Sequence, residues 1–176
     1  MPSGLPPKDY AAAVSFPDEI VLRPIGIVRS AYKERFGVPR QAHDGDGPPS
    51  VVELFAHIGP EPIQDLDGFD RVWVLSWMHL NGPGWPKRVK PPRGGPKRGL
   101  LSTRAPHRPN PIALSAARLL RIEGTQLHFQ GLDLLDGTPV LDLKPYVPYA
   151  DAFPDARAGW VQDAGGKHPD QLVRRD

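Results

Sequence analysis

Leu114-Ser-Ala-Ala-Arg-Leu-Leu-Arg-Ile-Glu-Gly-Thr-Gln-Leu-His-Phe-Gln-Gly-Leu132 is the stretch on which the fold turns. Residues 114–122 carry apolar side chains at spacings that suit either a helix or a strand. Gly124 follows at once, and Leu127 and Phe129 then alternate with polar neighbours, the period of a pleated strand. Two such runs across a short glycine-containing link read as paired strands. The other patterned stretches are of the same kind: residues 20–22, 25–28, 51–54, 72–78 and 140–143 are short and rich in Val, Ile and Leu. Helical residues are expected to be few, with residues 64–67 a candidate short turn ahead of Gly68. Strands without long helices between them exclude parallel βαβ units, and closing the sheet removes its edges. The sequence therefore predicts an all-β (mostly) fold with few short helices.

The chain has 176 residues, enough for one domain that buries about 70% of its unfolded surface. Its 23 prolines and 18 glycines gather near the start, at residues 44–49, at 82–96 and after Phe153. That places a flexible N-terminal tail at 1–19, the strand-rich domain at 20–152 and a C-terminal tail at 153–176. With no cysteine, disulfides, thiolate metal sites and a cysteine nucleophile are excluded. The six histidines lack ligand spacing, so no metal is expected. No signal-like or membrane-length apolar run occurs, and a soluble, cytoplasmic protein is the simplest expectation. Net charge is only +2, yet Lys87, Arg88, Lys90, Arg93, Lys97 and Arg98 fall in one Pro/Gly-rich stretch without an acid. This 87–98 basic loop is predicted to be extended and mobile, and suits either phosphate contact or simple solvation.

Two segments carry site chemistry. In residues 101–115, Pro106, Pro109 and Pro111 fix φ and withhold amide donors, leaving Arg104, His107, Arg108 and Asn110 on a stiff loop. Planar guanidinium forks held that way suit a carboxylate, a phosphate or a base edge, although a surface turn with solvated arginines fits equally well. In residues 131–146, Asp136-Gly137 is a hairpin signal between apolar runs, because Gly137 takes positive φ readily and Asp136 can bond nearby amides. His79 ends an apolar run and reads by itself as a satisfied strand-end residue. Trp73 and Trp77, at period two, read as core aromatics more readily than as a stacking platform.

Together with residues 23–41 (RPIGIVRSAYKERFGVPRQ) and 67–79 (DGFDRVWVLSWMH), these segments make the chain similar to the YaeB or TsaA-like family, whose characterised members are TrmO-type tRNA methyltransferases. The resemblance covers about residues 22–151. It implies a small antiparallel β-barrel of the YaeB/TsaA-like type with few short helices, S-adenosyl-L-methionine as cofactor, a homodimer, and methylation of the exocyclic nitrogen of threonylcarbamoyl-adenosine beside a tRNA anticodon. It also implies cofactor contacts at Pro39, Arg40, Gln41, His79, Leu80, Arg104, Leu114, Asp136, Gly137, Thr138 and Pro139. Arg29, Tyr32, Arg108 and Asn110 are candidates for holding the modified base or its threonyl carboxylate. No single proton acceptor stands out among His107, Asp133, Asp142, Tyr146 and Tyr149. Ala105 and Ala113 stand where the family has serine and glycine, which bears on substrate choice. The family's longer members carry a C-terminal module for which the residues after Asp151 leave no room, so RNA grip is expected from the basic loop, which makes tRNA contact its favoured reading, and from the dimer partner. Two rival readings are a non-enzymatic RNA-binding barrel and a methyltransferase acting on a small molecule or protein.

Overall fold

The computed structural model describes residues 18–34, 37–39, 41–42, 47–92 and 94–163. Six strands close into an antiparallel barrel: β1 (Gly26–Arg29), β2 (Ser50–Leu54), β3 (Arg71–Trp77), β6 (Ile112–Glu123), β7 (Gln126–Gln130) and β8 (Pro139–Pro145), in the order β1-β2-β7-β6-β3-β8. Between β3 and β6, β4 (Arg88–Val89) and β5 (Arg98–Gly99) pair as a separate ribbon. The helices are two single turns, α1 (Pro148–Asp151) and α2 (Trp160–Asp163), with 3-10 turns at Glu61–Ile63, Leu66–Gly68 and Leu100–Ser102.

The pleat explains the core. Successive side chains on a strand point to opposite faces. On β3, Val72, Val74 and Ser76 are buried while Arg71, Trp73, Leu75 and Trp77 alternate outward. Val28, Val52, Leu127, Phe129 and Val140 meet them inside, fully buried. Leu132 and Leu134 close one end of this core, and Leu54, Ile63 and Leu66 join it from the other strand ends. β6 settles the ambiguity at residues 114–122: with twelve residues it pairs β3 through Ile112 to Arg118 and β7 through Arg118 to Glu123, with a register shift at Leu119/Arg121.

Four sequence expectations change. Residues 20–22 form no strand; their exposed side chains find no pleated partner in the barrel. Asp136-Gly137 is a turn, with Gly137 at φ +78°, but residues 132–135 before it join no strand ladder, so no β-hairpin forms. Trp73 and Trp77 lie on the outer wall, half-buried, because the inward positions of β3 belong to Val72, Val74 and Ser76. Trp73 packs on Tyr146 at 5.4 Å between ring centroids and donates its indole N–H to Asp151 Oδ2 at 3.0 Å. The basic loop, expected to be extended and mobile, is pinned at both ends as the β4–β5 ribbon, where Arg88 Nη2 also donates to the Lys97 carbonyl at 2.7 Å.

Barrel closure depends on Gly26. A Cβ built there would sit 2.5 Å from the Glu53 carbonyl oxygen and 3.1 Å from the Leu54 Cα, both backbone atoms of the neighbouring strand. Backbone cannot rotate aside as a side chain can, so Gly26→Ala is expected to cost about 1–3 kcal/mol, in the range of overpacked cores. At about 2–4 °C per kcal/mol for a chain of this size, the melting midpoint falls measurably in a thermal scan. A midpoint equal to that of the parent would show that β1 and β2 can spread without cost.

Candidate binding site at one mouth of the barrel

The register places three connections at the same end. Arg29 is opposite Val51, Ser50 opposite Phe129, Trp77 opposite Ile112 and Ser76 opposite Val140. The carboxyl ends of β1, β3 and β7 therefore meet the amino ends of β2, β6 and β8. Residues 30–49, 78–111 and 131–138 all emerge at this mouth, and they hold nearly every candidate residue. The polar character of the interior is concentrated there too. Ser30, Ser50, Ser76, Ser115 and Thr138, the buried polar residues among those described, all lie at strand ends on this side.

Asp133 is at the centre. Its Oδ1 accepts a hydrogen bond from Ser115 Oγ at 2.5 Å, the Ala42 backbone also bonds to its carboxylate, and the Arg104 charge acts on it. Burial nonetheless dominates and raises its pKa above the ordinary aspartate value of 3.8, with the Ser115 hydrogen bond opposing. Ala42, Arg104 and the start of β6 are thus brought to one carboxylate.

The neighbouring turn is anchored differently. Asp136 Oδ1 accepts the Ser30 amide at 3.0 Å, its Oδ2 meets Lys33 Nζ at 2.6 Å, its amide donates to the Tyr32 carbonyl at 2.8 Å and the Gly137 amide donates to the Val28 carbonyl at 2.8 Å. Ser30 Oγ donates to the Leu134 carbonyl at 3.0 Å, tying the 132–135 segment to the end of β1. The Lys33 contact, followed by the Ser30 amide, holds the Asp136 carboxyl below the usual range. Ala31, Tyr32, Lys33, Glu34 and Gly37 line an open hollow beside it.

The remaining candidates fall as follows. Arg104 is exposed, and among the described residues its guanidinium has no hydrogen bond or ion pair. Arg108 braces the loop that presents Arg104, donating from Nη1 to the carbonyls of Thr103 at 2.8 Å and Ala105 at 3.4 Å. His79 and Leu80 are exposed on a turn tied to the same loop by Asn81 Nδ2, which donates to the Pro106 carbonyl at 3.0 Å. Leu114 faces the outer wall, 55% exposed, level with Leu75 and Asp142. Arg29 pairs with Glu53 at 2.9 Å, and its charge also acts on Asp136. Asn110 is exposed and its carbonyl accepts the Ile112 amide. Pro39 and Gln41 are half-buried, whereas Arg40 lies outside the described residues. Sequence reasoning passed over Ser30, Lys33 and Ser115. Ser115 could have been found, since it is a polar residue at an inward position of a period-two strand.

Asp133 gives a pH test. Because its carboxyl is raised in the folded chain, its contribution to stability is full below the ordinary aspartate value and is lost as pH rises through the raised value. Asp133→Asn removes that titration while keeping an oxygen for Ser115 Oγ. The variant is expected to match the parent near pH 4 and to gain on it toward pH 8 in thermal melts. A difference that is flat with pH would contradict the burial argument.

A small closed barrel whose reactive groups lie on connections at one mouth defines a class of binding barrel distinct from sheet-and-helix nucleotide folds. Among the described residues, no group of three or more His, Cys, Asp or Glu could hold a metal ion. The chain belongs to the tRNA-methyltransferase O N-terminal domain family, which it matches over residues 27–152. It is 45% identical over 145 residues to the Pseudomonas aeruginosa protein named "Putative S-adenosylmethionine-dependent methyltransferase RcsF", covering 80% of this chain and 62% of that one. It is 39% identical over 149 residues to the tRNA (adenine(37)-N6)-methyltransferase of Escherichia coli, covering 80% and 63%. The crystal structure of TrmO from Pseudomonas aeruginosa superposes with a TM-score of 0.67 at 39% identity, over 80% of this chain and 62% of that one. The chain thus spans about three fifths of the length of these relatives.

Proposed function

We propose that this chain is an S-adenosylmethionine-dependent tRNA methyltransferase that modifies the exocyclic nitrogen of adenine beside the anticodon, with threonylcarbamoyl-adenosine as the acceptor. The carrying observation is the mouth itself, where Arg104, without a hydrogen bond or ion pair among the described residues, stands close enough to half-buried Asp133 for its charge to act there, beside the Ala42 backbone and the turn at Asp136-Gly137. The names of the relatives point the same way.

These residues fit the parts of such a donor. Arg104, with Arg40, matches the methionyl carboxylate as a planar fork, and Leu114 and Pro139 offer apolar faces for the adenine. Gln41, His79 and Leu80 complete the cofactor set with Asp136, Gly137 and Thr138. When bound, the cofactor supplies a methyl group already activated by its sulfonium, so the protein's work is orientation and proton handling. A carbamoylated amino nitrogen is a poor nucleophile and gains from a proton acceptor. Among the aspartate and tyrosine candidates Asp133 suits that role best, with His107, half-buried on the Arg104 loop, as the other group in reach of that loop. Burial raises its proton affinity, whereas Asp142 is paired with Lys144 at 2.8 Å, Tyr146 packs on Trp73 and Tyr149 is 90% exposed. Arg29, Tyr32, Arg108 and Asn110 are assigned to the acceptor side, Arg108 through its hold on the loop.

The reading extends to a homodimer that uses the exposed apolar outer wall around Ile112 and Leu114, and to the cytoplasm, where tRNA is found. No helix among the described residues is long and apolar enough to cross a membrane. The test is transfer of labelled methyl from S-adenosylmethionine into purified tRNA with and without the threonylcarbamoyl group. Label confined to modified tRNA is expected. Label in a small molecule or protein instead would overturn the acceptor, and no calorimetric heat with S-adenosylmethionine would leave a non-enzymatic RNA-binding barrel. Light scattering at micromolar concentration decides the dimer.

A further inference from the structure

Among the described residues that follow the family match, Trp160 reaches back to the turn that leads into the Arg104 loop. α2 begins at Trp160, whose indole N–H donates to the Ser102 carbonyl at 2.9 Å, while the Arg98 guanidinium lies over its ring, 5.5 Å from the centroid. Both contacts fall on the hinge between the basic ribbon and the Arg104 loop. Leu100 is 2% exposed and its amide donates to the Lys87 carbonyl at 3.0 Å, joining the turn to the ribbon. The turn continues into the loop through Thr103, whose amide and Oγ1 both donate to the Leu100 carbonyl and whose own carbonyl accepts Arg108. Arg104 is the next residue. An unbroken chain of bonded groups therefore runs from Trp160 through Ser102 and Thr103 to Arg104, with Arg98 held at its start.

We propose that Trp160 is a positioning residue, a clasp from the segment after the barrel that fixes the Leu100–Ser102 turn and so couples the RNA-facing ribbon to the Arg104 fork. The inference rests on the function given above, since it assigns that pocket's geometry to a residue beyond the barrel. The clasp works through two separable contacts. The indole N–H satisfies a carbonyl at the end of a 3-10 turn, where backbone acceptors lack partners of their own. The ring face holds a guanidinium that would otherwise swing freely in solvent.

Amide hydrogen exchange on the ligand-free full chain reads the clasp without any need for activity. In Trp160→Ala, exchange at the Leu100 and Thr103 amides is expected to quicken about tenfold, while the barrel amides and the melting midpoint hold. Trp160→Phe keeps a ring for Arg98 and loses the donor, and should fall between. Arg98→Ala keeps the donor and should disturb Thr103 least. Calorimetry with S-adenosylmethionine should then show affinity weakened about five- to tenfold in Trp160→Ala, the scale of one lost orienting hydrogen bond. Unchanged exchange overturns the clasp, and quickened exchange with unchanged cofactor affinity overturns its link to Arg104. Should the intact protein bind no S-adenosylmethionine, the proposed function fails by itself, and the exchange arm still passes judgement on the clasp.

Discussion

Replacing Arg104 by alanine is expected to weaken S-adenosylmethionine binding by one to two orders of magnitude and to change the melting temperature little. The two halves of that result have different origins. Arg104 is exposed and, among the described residues, makes no hydrogen bond or ion pair, so its removal takes from the folded barrel only its charge on Asp133, the smallest of the causes acting on that carboxyl. A charge-assisted contact to a carboxylate contributes about 1.5–3 kcal/mol, which converts to roughly 10- to 150-fold in affinity. Arg104→Lys should recover only part, since an ammonium keeps the charge and loses the planar fork. Calorimetric titration beside a thermal melt separates these outcomes. Full-strength binding by Arg104→Ala would remove Arg104 from the pocket. A large fall in melting temperature would show that it serves the fold instead.

The second large effect is expected on RNA. Lys87, Lys90 and Lys97 flank the two strands of the ribbon and are all exposed. Changing all three to glutamine leaves intact the backbone carbonyls of Lys87 and Lys97, which the Leu100 amide and Arg88 use. If each ammonium neutralises one phosphate, the slope of log affinity against log salt should flatten by about 2–3, since each contact contributes roughly 0.7–0.9. Affinity for tRNA at low salt should drop at least tenfold, with S-adenosylmethionine affinity unmoved. Filter binding across a salt series reads both. An unchanged slope would return the ribbon to plain solvent exposure.

The limits of reading this chain as a sequence show in particular elements. The β6–β7 pair was legible because pleat periodicity is local: Leu127 and Phe129 alternate with polar neighbours whatever surrounds them. Residues 20–22 have the same composition and form no strand, because strand formation needs an edge to pair with and the six-stranded ring is already closed. The Asp136-Gly137 turn was legible from its dipeptide, whereas the missing hairpin was not. Its first arm bonds to Ser30 and Ser115, 104 and 18 residues away from their partners.

Alternation and punctuation by proline and glycine were enough to give paired strands and a set of polar loops, and four motifs, through the family they resemble, the antiparallel barrel, since each signal is complete within one short stretch of chain. Only the tertiary structure decided that the loops share one mouth, that Asp133 is buried enough to hold its proton more tightly, that Arg108 braces while Arg104 is presented to solvent, and that Trp160 reaches back to Ser102. The physical reason is that burial and field at a group are sums over neighbours brought in by barrel closure and register, and those neighbours are distant along the chain.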